Sequence, residues 1–178
     1  MISTRQLRTI MPTLSEDGAA AWVSPLNDAM VAFGIDQTLA REAAFLAEVA
    51  HESGELRYVC ELADGSAYEC RGDLGNKEAG DGPKFKGRGL LQITGRSNYA
   101  DCSLALFGDA RLLDEPELLE DFKPAADSAG WFWQSHGLNN VADAGDFETI
   151  TRKINGGLMG YDQRVTYLRR AKLALGML

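Results

Sequence analysis

The chain has 178 residues, 45% of them hydrophobic and 25% charged, with a formal net charge of −8 at pH 7. That length fits one domain with a core of useful size, and no apolar run approaches the ~20 residues that span a bilayer. The acidic balance argues against nucleic-acid binding, which calls for a basic face, and against stable docking on anionic membranes.

Thr4 to Ile10 reads as a short helix that breaks at Pro12. Ser15 is placed to cap a second helix from about Asp17 to Phe33, which Pro25 is expected to divide or bend. Gly34-Ile35-Asp36 turns the chain, and Thr38 caps a third helix. There Leu39, Phe45, Leu46 and Val49 recur at helical spacing among Ala40, Ala43, Ala44, Ala47 and Ala50, so the helix is expected to be largely buried. It closes on His51-Glu52-Ser53-Gly54, with Gly54 as a stop. From Ser53 to Gly89, eight glycines and Pro83 replace helical periodicity with loops, short turns and at most a small sheet. Tyr58, Leu62, Tyr68, Leu74 and Phe85 offer anchors there, which favours an ordered binding surface.

Helices return with an amphipathic stretch from Ser97 to Phe107 and a helix start at Asp114-Glu115-Pro116. Lys123 to His136 reads as a core helix that closes at Gly137. Asp146 caps Phe147 to Ile154, Gly156-Gly157 ends it, and Tyr161 to Leu175 is the last helix, with Val165, Leu168 and Ala171 on one face. Met1 to Ile10 carries two arginines with no apolar stretch behind them, so no secretory signal is expected. The odd set Cys60, Cys70 and Cys102 then implies free thiols, with a Cys60–Cys70 bridge as the alternative.

Several chemistries can be weighed on these residues. His51-Glu52 lacks the second histidine of a zinc protease, since position 55 is Glu55 and the other histidine is His136. No metal site and no cysteine nucleophile with a paired base is expected. Lys86-Gly87-Arg88-Gly89 lacks the ending of a phosphate loop but suits a tight turn that lets backbone approach a ligand. Lys77, Lys84, Lys86, Arg88 and Arg96 either line a groove or belong to a mixed solvated surface. The carboxylates Glu52, Glu55, Glu61 and Glu69 suit glycoside hydrolysis, which needs two carboxyl groups flanking one bond. A carboxylic acid at the mouth of a core helix is partly desolvated, which favours the protonated form a general acid needs; a solvated glutamate at a helix end is the alternative. Gln92, Thr94, Asn98 and Asn155 are candidates for sugar hydroxyls and water, and Tyr58, Tyr68 and Tyr99 for stacking on sugar rings.

Three segments together resemble glycoside hydrolase family 19: His51-Glu52-Ser53-Gly54, the run from Phe85 to Tyr99 with its Gly87-Arg88-Gly89-Leu90-Leu91-Gln92-Ile93-Thr94 centre, and Ile154-Asn155-Gly156-Gly157-Leu158. The resemblance covers roughly residues 38 to 175 and is nearest the phage and prophage endolysin branch, with chitinases as relatives. It implies one catalytic domain over residues 1–178, with residues 1–36 a loosely matched helical segment. The implied fold is mainly α, a lysozyme-like α+β class with two helical lobes around a substrate cleft and a loop-rich insertion or small sheet.

The resemblance also implies roles. Glu52 becomes the general acid and Glu69 the general base, with Glu61 as runner-up for the base. Thr94 positions the water. Gln92, Asn98 and Asn155 contact substrate, Arg164 holds the acid's network, His51 supports it by hydrogen bonding, and Tyr58 and Glu61 complete the binding set. No cofactor is implied. The expected activity is an endolysin's inverting cleavage of β-1,4 bonds in peptidoglycan; a chitinase and a glycan-binding protein without turnover are the alternatives. The expected partners are peptidoglycan strands, with no nucleic acid and no stable membrane association, and the expected state is a monomer. Without a signal peptide, the protein is expected to be made in a host bacterial cytoplasm and to reach the wall by holin-type release or dedicated export.

Overall fold

In a computed structural model, which describes residues 1–178, local caps set the helix starts. Helix α1 (Thr4–Ile10) opens with a capping box in which Ser3 and Gln6 satisfy each other's backbone N–H groups. The Ser15 hydroxyl accepts the Gly18 N–H at 3.0 Å and starts α2 (Glu16–Ala32). α2 is not divided at Pro25. Trp22, Leu26, Ala29 and Met30 are buried on both sides of the proline, and that packing offsets the lost hydrogen bond. Thr38 caps α3 (Leu39–Glu52), in which every residue from Glu42 to Ala50 is buried. The alanines let α9 approach α3 closely.

The segment after α3 forms no strand. The expected sheet reduces to two isolated bridges, Cys60 with Arg88 and Arg88 with Ile93. Short 3-10 turns at Ser66–Tyr68 and Gly72–Leu74 and one turn of helix, α4 (Asp81–Lys84), fill the rest. Next come α5 (Arg96–Phe107), 3-10 turns at Arg111–Leu113 and Pro116–Glu120, and α6 (Phe122–Ser135). The helix expected to start at Asp114–Pro116 thus stays a 3-10 turn, because Asp121 adopts extended geometry and restarts the chain as the N-cap residue of α6.

Gly137 ends α6 but, in a left-handed conformation, leads straight into α7 (Leu138–Asp143), a helix the sequence pattern did not indicate. α8 (Phe147–Asn155), capped by Asp146, and α9 (Tyr161–Ala174) complete the chain. α9 lies along α3. Its fully buried positions are Arg164, Tyr167 and Ala171, while Val165 and Leu168 are only half-buried.

Two cores result. A large one of 31 buried residues joins α1, α2, α3, α6, α7, α8 and α9. A small one holds Phe85, Ile93, Tyr99, Cys102, Leu112 and Leu119. Phe132 of α6 packs against both, so α6 joins the lobes. The mainly helical class expected from the sequence is the observed one. No helix is long and apolar enough to cross a membrane.

Candidate active site

The end of α3 delivers Glu52 to a wall built by α9. Arg164, only 1% exposed, donates from Nη2 to Glu52 Oε1 at 2.5 Å and from Nη1 to Glu48 Oε2. Glu52 Oε2 makes no hydrogen bond within the chain, and the side chain is 21% exposed. One oxygen is therefore fixed and the other is open. His51 packs on the Gly160 backbone: a Cβ at Gly160 would lie 2.4 Å from His51 Cε1. Burial, and then the positive charge of Arg164, hold the His51 imidazole below its usual range, so the ring is neutral near pH 7. Its Nδ1 is buried without a partner. His51 makes no hydrogen bond to Glu52, so the support by hydrogen bonding that the resemblance implied is not formed.

The chain leaves α3 through Gly54, Glu55 and Leu56, all left-handed with φ of 57°, 62° and 64°. For the two non-glycine residues this costs roughly 1–2 kcal/mol each. The turn is clamped from both sides. Glu55 accepts from the Thr13 N–H (2.6 Å) and hydroxyl (2.5 Å) on one oxygen and from the Tyr167 hydroxyl (2.9 Å) on the other. Burial pushes the Glu55 carboxyl up, but the donors from Thr13 and Tyr167 outweigh it and hold the group below its ordinary value. Glu55 is a structural clamp.

Glu61 and Glu69 separate sharply. Glu69 spends both oxygens on the backbone of the α4 turn, accepting from the Gly80 N–H at 2.7 Å and the Gly82 N–H at 2.8 Å. Glu61 accepts on Oε2 from the Gly87 N–H (2.9 Å) and the Tyr68 hydroxyl (3.1 Å), and Oε1 is left open. A Cβ at Gly87 would lie 2.7 Å from Glu61 Oε2, 2.7 Å from Gln92 Oε1 and 3.3 Å from Thr94 Oγ1. Only a glycine admits that convergence. The structure therefore joins Glu61, not Glu69, to Gln92 and Thr94. Each Glu69 oxygen already accepts a backbone N–H, whereas Glu61, the runner-up for the base role that the resemblance carried to Glu69, keeps Oε1 without a partner beside Gln92 and Thr94.

Gln92 reaches this cluster from a left-handed backbone, φ 54°, with its side-chain amide donating to the Gly89 carbonyl. The Thr94 hydroxyl donates to the Gln92 carbonyl at 2.9 Å, and Asn98 donates to the Thr94 carbonyl at 2.7 Å. Gln92, Thr94 and Asn98 line one side of a pocket of about 150 Å³. Its other side is Trp131, Phe132 and His136. The sequence pattern assigned the two aromatics to a core helix and gave His136 no binding role. Their signal was the i,i+4 pair Phe132–His136, whose rings stack at 3.9 Å. Tyr58, 42% exposed, and Asn155, exposed at the end of α8, lie outside this pocket. A larger hollow of about 380 Å³ beside α1, lined by Thr4, Arg5, Arg8, Thr9, Pro12 and Glu16, contains none of the candidate residues.

The basic residues of the central run are mostly internal braces. Arg88 is 9% exposed and binds Glu120, the Lys84 carbonyl and the Tyr99 hydroxyl. Arg96 grips Asp81 and Glu78, and Lys86 donates to the Glu61 and Ala63 carbonyls. All three therefore brace the loop, with Arg88 buried and Lys86 and Arg96 half-buried. All three cysteines are free. No group of three or more His, Cys, Asp or Glu residues is arranged to hold a metal ion.

No protein-family model matches the chain. It is 36% identical over 109 residues to a glycosyl hydrolase family 19 domain-containing protein of Haemophilus influenzae, covering 61% of this chain and 52% of that protein. It is 35% identical over 116 residues to endochitinase B of Zea mays, covering 65% of this chain and 40% of the relative. The chain thus spans about half or less of these relatives' length. Chitinase C of Streptomyces griseus superimposes with a TM-score of 0.80 at 26% identity, over 98% of this chain and 76% of that one. A bacterial family 19 chitinase superimposes with a TM-score of 0.78 at 27% identity, over 97% and 94% of the two chains.

Proposed function

This chain belongs to glycoside hydrolase family 19, and we propose that it hydrolyses β-1,4 glycosidic bonds of bacterial peptidoglycan by an inverting mechanism. The observation that carries the catalytic part is the state of the carboxylates. Glu52 and Glu61 each have one oxygen anchored and one open, whereas Glu55 and Glu69 have none open. Glu52 protonates the leaving glycosidic oxygen. Glu61 takes a proton from a water on the opposite face of the sugar, and the Thr94 hydroxyl orients that water. The attack by water from the side opposite the leaving group inverts the anomeric centre. Gln92 and Asn98 bind sugar hydroxyls and acetamido groups, and Asn155 and Tyr58 extend the contact surface. Arg164 holds Glu52 in place.

Peptidoglycan is favoured by the endolysin-like form of the central run and of the Asn155-Gly156-Gly157-Leu158 turn. Chitin is the second reading, favoured by the plant relatives and the Streptomyces structure, which are chitinases by name. Purified sacculi and N-acetylglucosamine oligomers, each treated with the parent protein, Glu52→Gln and Glu61→Gln, separate the two. New reducing ends on sacculus glycan from the parent alone, with an inverted product anomer by proton NMR, are expected. Cleavage of the oligomers without cleavage of sacculi assigns a chitinase instead. Binding to either glycan with no new reducing ends overturns the hydrolase reading.

A further inference from the structure

We propose that Glu48 is a positioning residue that competes with Glu52 for Arg164 and so sets the pH range in which Glu52 holds its proton. The proposal rests on Glu52 being the acid. Glu48 lies one helical turn before Glu52 on α3, so both carboxylates face the same side. It is fully buried. Arg164 reaches between them from α9, with one nitrogen on each carboxylate, and its Nε donates to the Met159 carbonyl at 3.3 Å. Thr151 of α8 donates to Glu48 Oε1 at 2.7 Å. Glu48 thus has both oxygens occupied and no access to substrate.

The charges do not balance. Two carboxylates share one guanidinium, and a guanidinium does not give up its proton. Two negative charges on one guanidinium, one of them fully buried, are costly, so the trio favours binding one proton between the two carboxylates. The groups that face Glu48 are Arg164 and Tyr161 from α9 and Glu52 from its own helix, while α8 adds only the Thr151 hydroxyl. Burial raises the Glu48 carboxyl, Thr151 and Arg164 lower it, and Glu52 raises it again. Without the negative charge of Glu48, the whole charge of Arg164 falls on Glu52 and draws off the proton that catalysis needs.

The test compares pH profiles of kcat and KM for the parent, Glu48→Gln and Glu48→Asp, together with carboxyl carbon-13 NMR titration of the glutamates without substrate. Glu48→Gln is expected to move the alkaline limb of kcat down by about one pH unit. That amounts to roughly a tenfold loss on that limb, with KM unchanged. Glu48→Asp keeps the charge and is expected to recover most of the limb. In the parent, the Glu48 and Glu52 carbons are expected to titrate in coupled steps. An equal loss at every pH with the limb unmoved overturns the proposal, as do two independent single-step titrations. Should Glu48→Gln not fold, the parent titration decides. Should the parent cleave no glycan, the functional reading fails by itself, and the Glu52 carbon must still titrate at lower pH in Glu48→Gln.

Discussion

An ionised carboxylate offers about four lone-pair sites, and what fills them separates the glutamates of this chain. Glu69 caps two backbone N–H groups, so Glu69→Gln turns one acceptor into a donor facing a donor. It is expected to lower stability by roughly 1–3 kcal/mol, read as a lower melting temperature, while the pH profile of the remaining activity stays in place. Glu61→Gln is expected to do the reverse, costing about 10²-fold or more in kcat with little change in melting. If Glu69→Gln instead removes turnover in folded protein, the assignment of the base to Glu61 is wrong. Asp81 shows the same logic in a structural setting. The Arg96 guanidinium, together with the Lys77 and Glu78 N–H groups, holds its carboxyl down at about 2. A depressed folded value means that the stabilisation is present above the unfolded value of 3.8 and is lost as the pH falls toward 2. Asp81→Asn is therefore expected to cost about 2 kcal/mol near neutral pH and progressively less below pH 4, as urea titrations across that range would measure.

At the scale of elements, start signals were readable because they are local. Ser15, Thr38 and Asp146 each cap the helix expected of them, since a hydroxyl or carboxylate needs only an N–H three residues ahead. Most of the misses involve partners distant in sequence. α2 passes Pro25 undivided because its buried face packs against α6. Pro25→Ala restores an N–H to that helix and is expected to raise the melting temperature, with a gain of roughly 1–2 kcal/mol after the entropy that proline removes from the unfolded chain is allowed for. A lower melting temperature would mean that the ring itself is needed in the packing. α7 escaped notice because six residues show too little periodicity, and what holds them is the burial of Leu138 and Ala142 under neighbouring helices. The α9 stripe misled in a different way. A buried arginine interrupts an apolar pattern, and its stability there depends on two carboxylates more than a hundred positions earlier in the chain.

At the scale of the whole molecule, the two cores are unequal, and the lobe carrying Gln92, Thr94 and Asn98 rests on the smaller one. A small core opens more readily, and Cys102 sits in it as a built-in reporter. Cys102 is fully buried and its thiol is pushed up to about 12, mainly by burial, whereas Cys70 is exposed. Thiol-directed alkylation followed by peptide mass spectrometry is expected to label Cys70 rapidly in the native protein and Cys102 only at the rate of lobe opening. A glycan oligomer bound along Gln92, Thr94 and Asn98 is expected to slow Cys102 labelling further, because a ligand that binds only the closed lobe stabilises it. Equal rates at the two thiols would mean that the small core is not closed in solution.

The sequence by itself determined the helical class, most helix boundaries, the glycine-rich insertion and the place of His51-Glu52 at the end of a buried helix. Those features follow from contacts within a few residues or from a periodicity that repeats along one element. The family resemblance it carries gave the base role to Glu69, with Glu61 of the same loop as runner-up. Only the tertiary structure shows that Glu61 keeps an unpartnered oxygen while both Glu69 oxygens are bonded, that Arg164 joins Glu48 to Glu52, and that Trp131, Phe132 and His136 line one pocket with Gln92, Thr94 and Asn98. In each case the deciding fact is which oxygen or ring is already occupied by a partner from another part of the chain. Glycine, serine and threonine signal their local turns in any context, but a carboxylate in an irregular loop reads the same whether it caps a backbone or waits for a water.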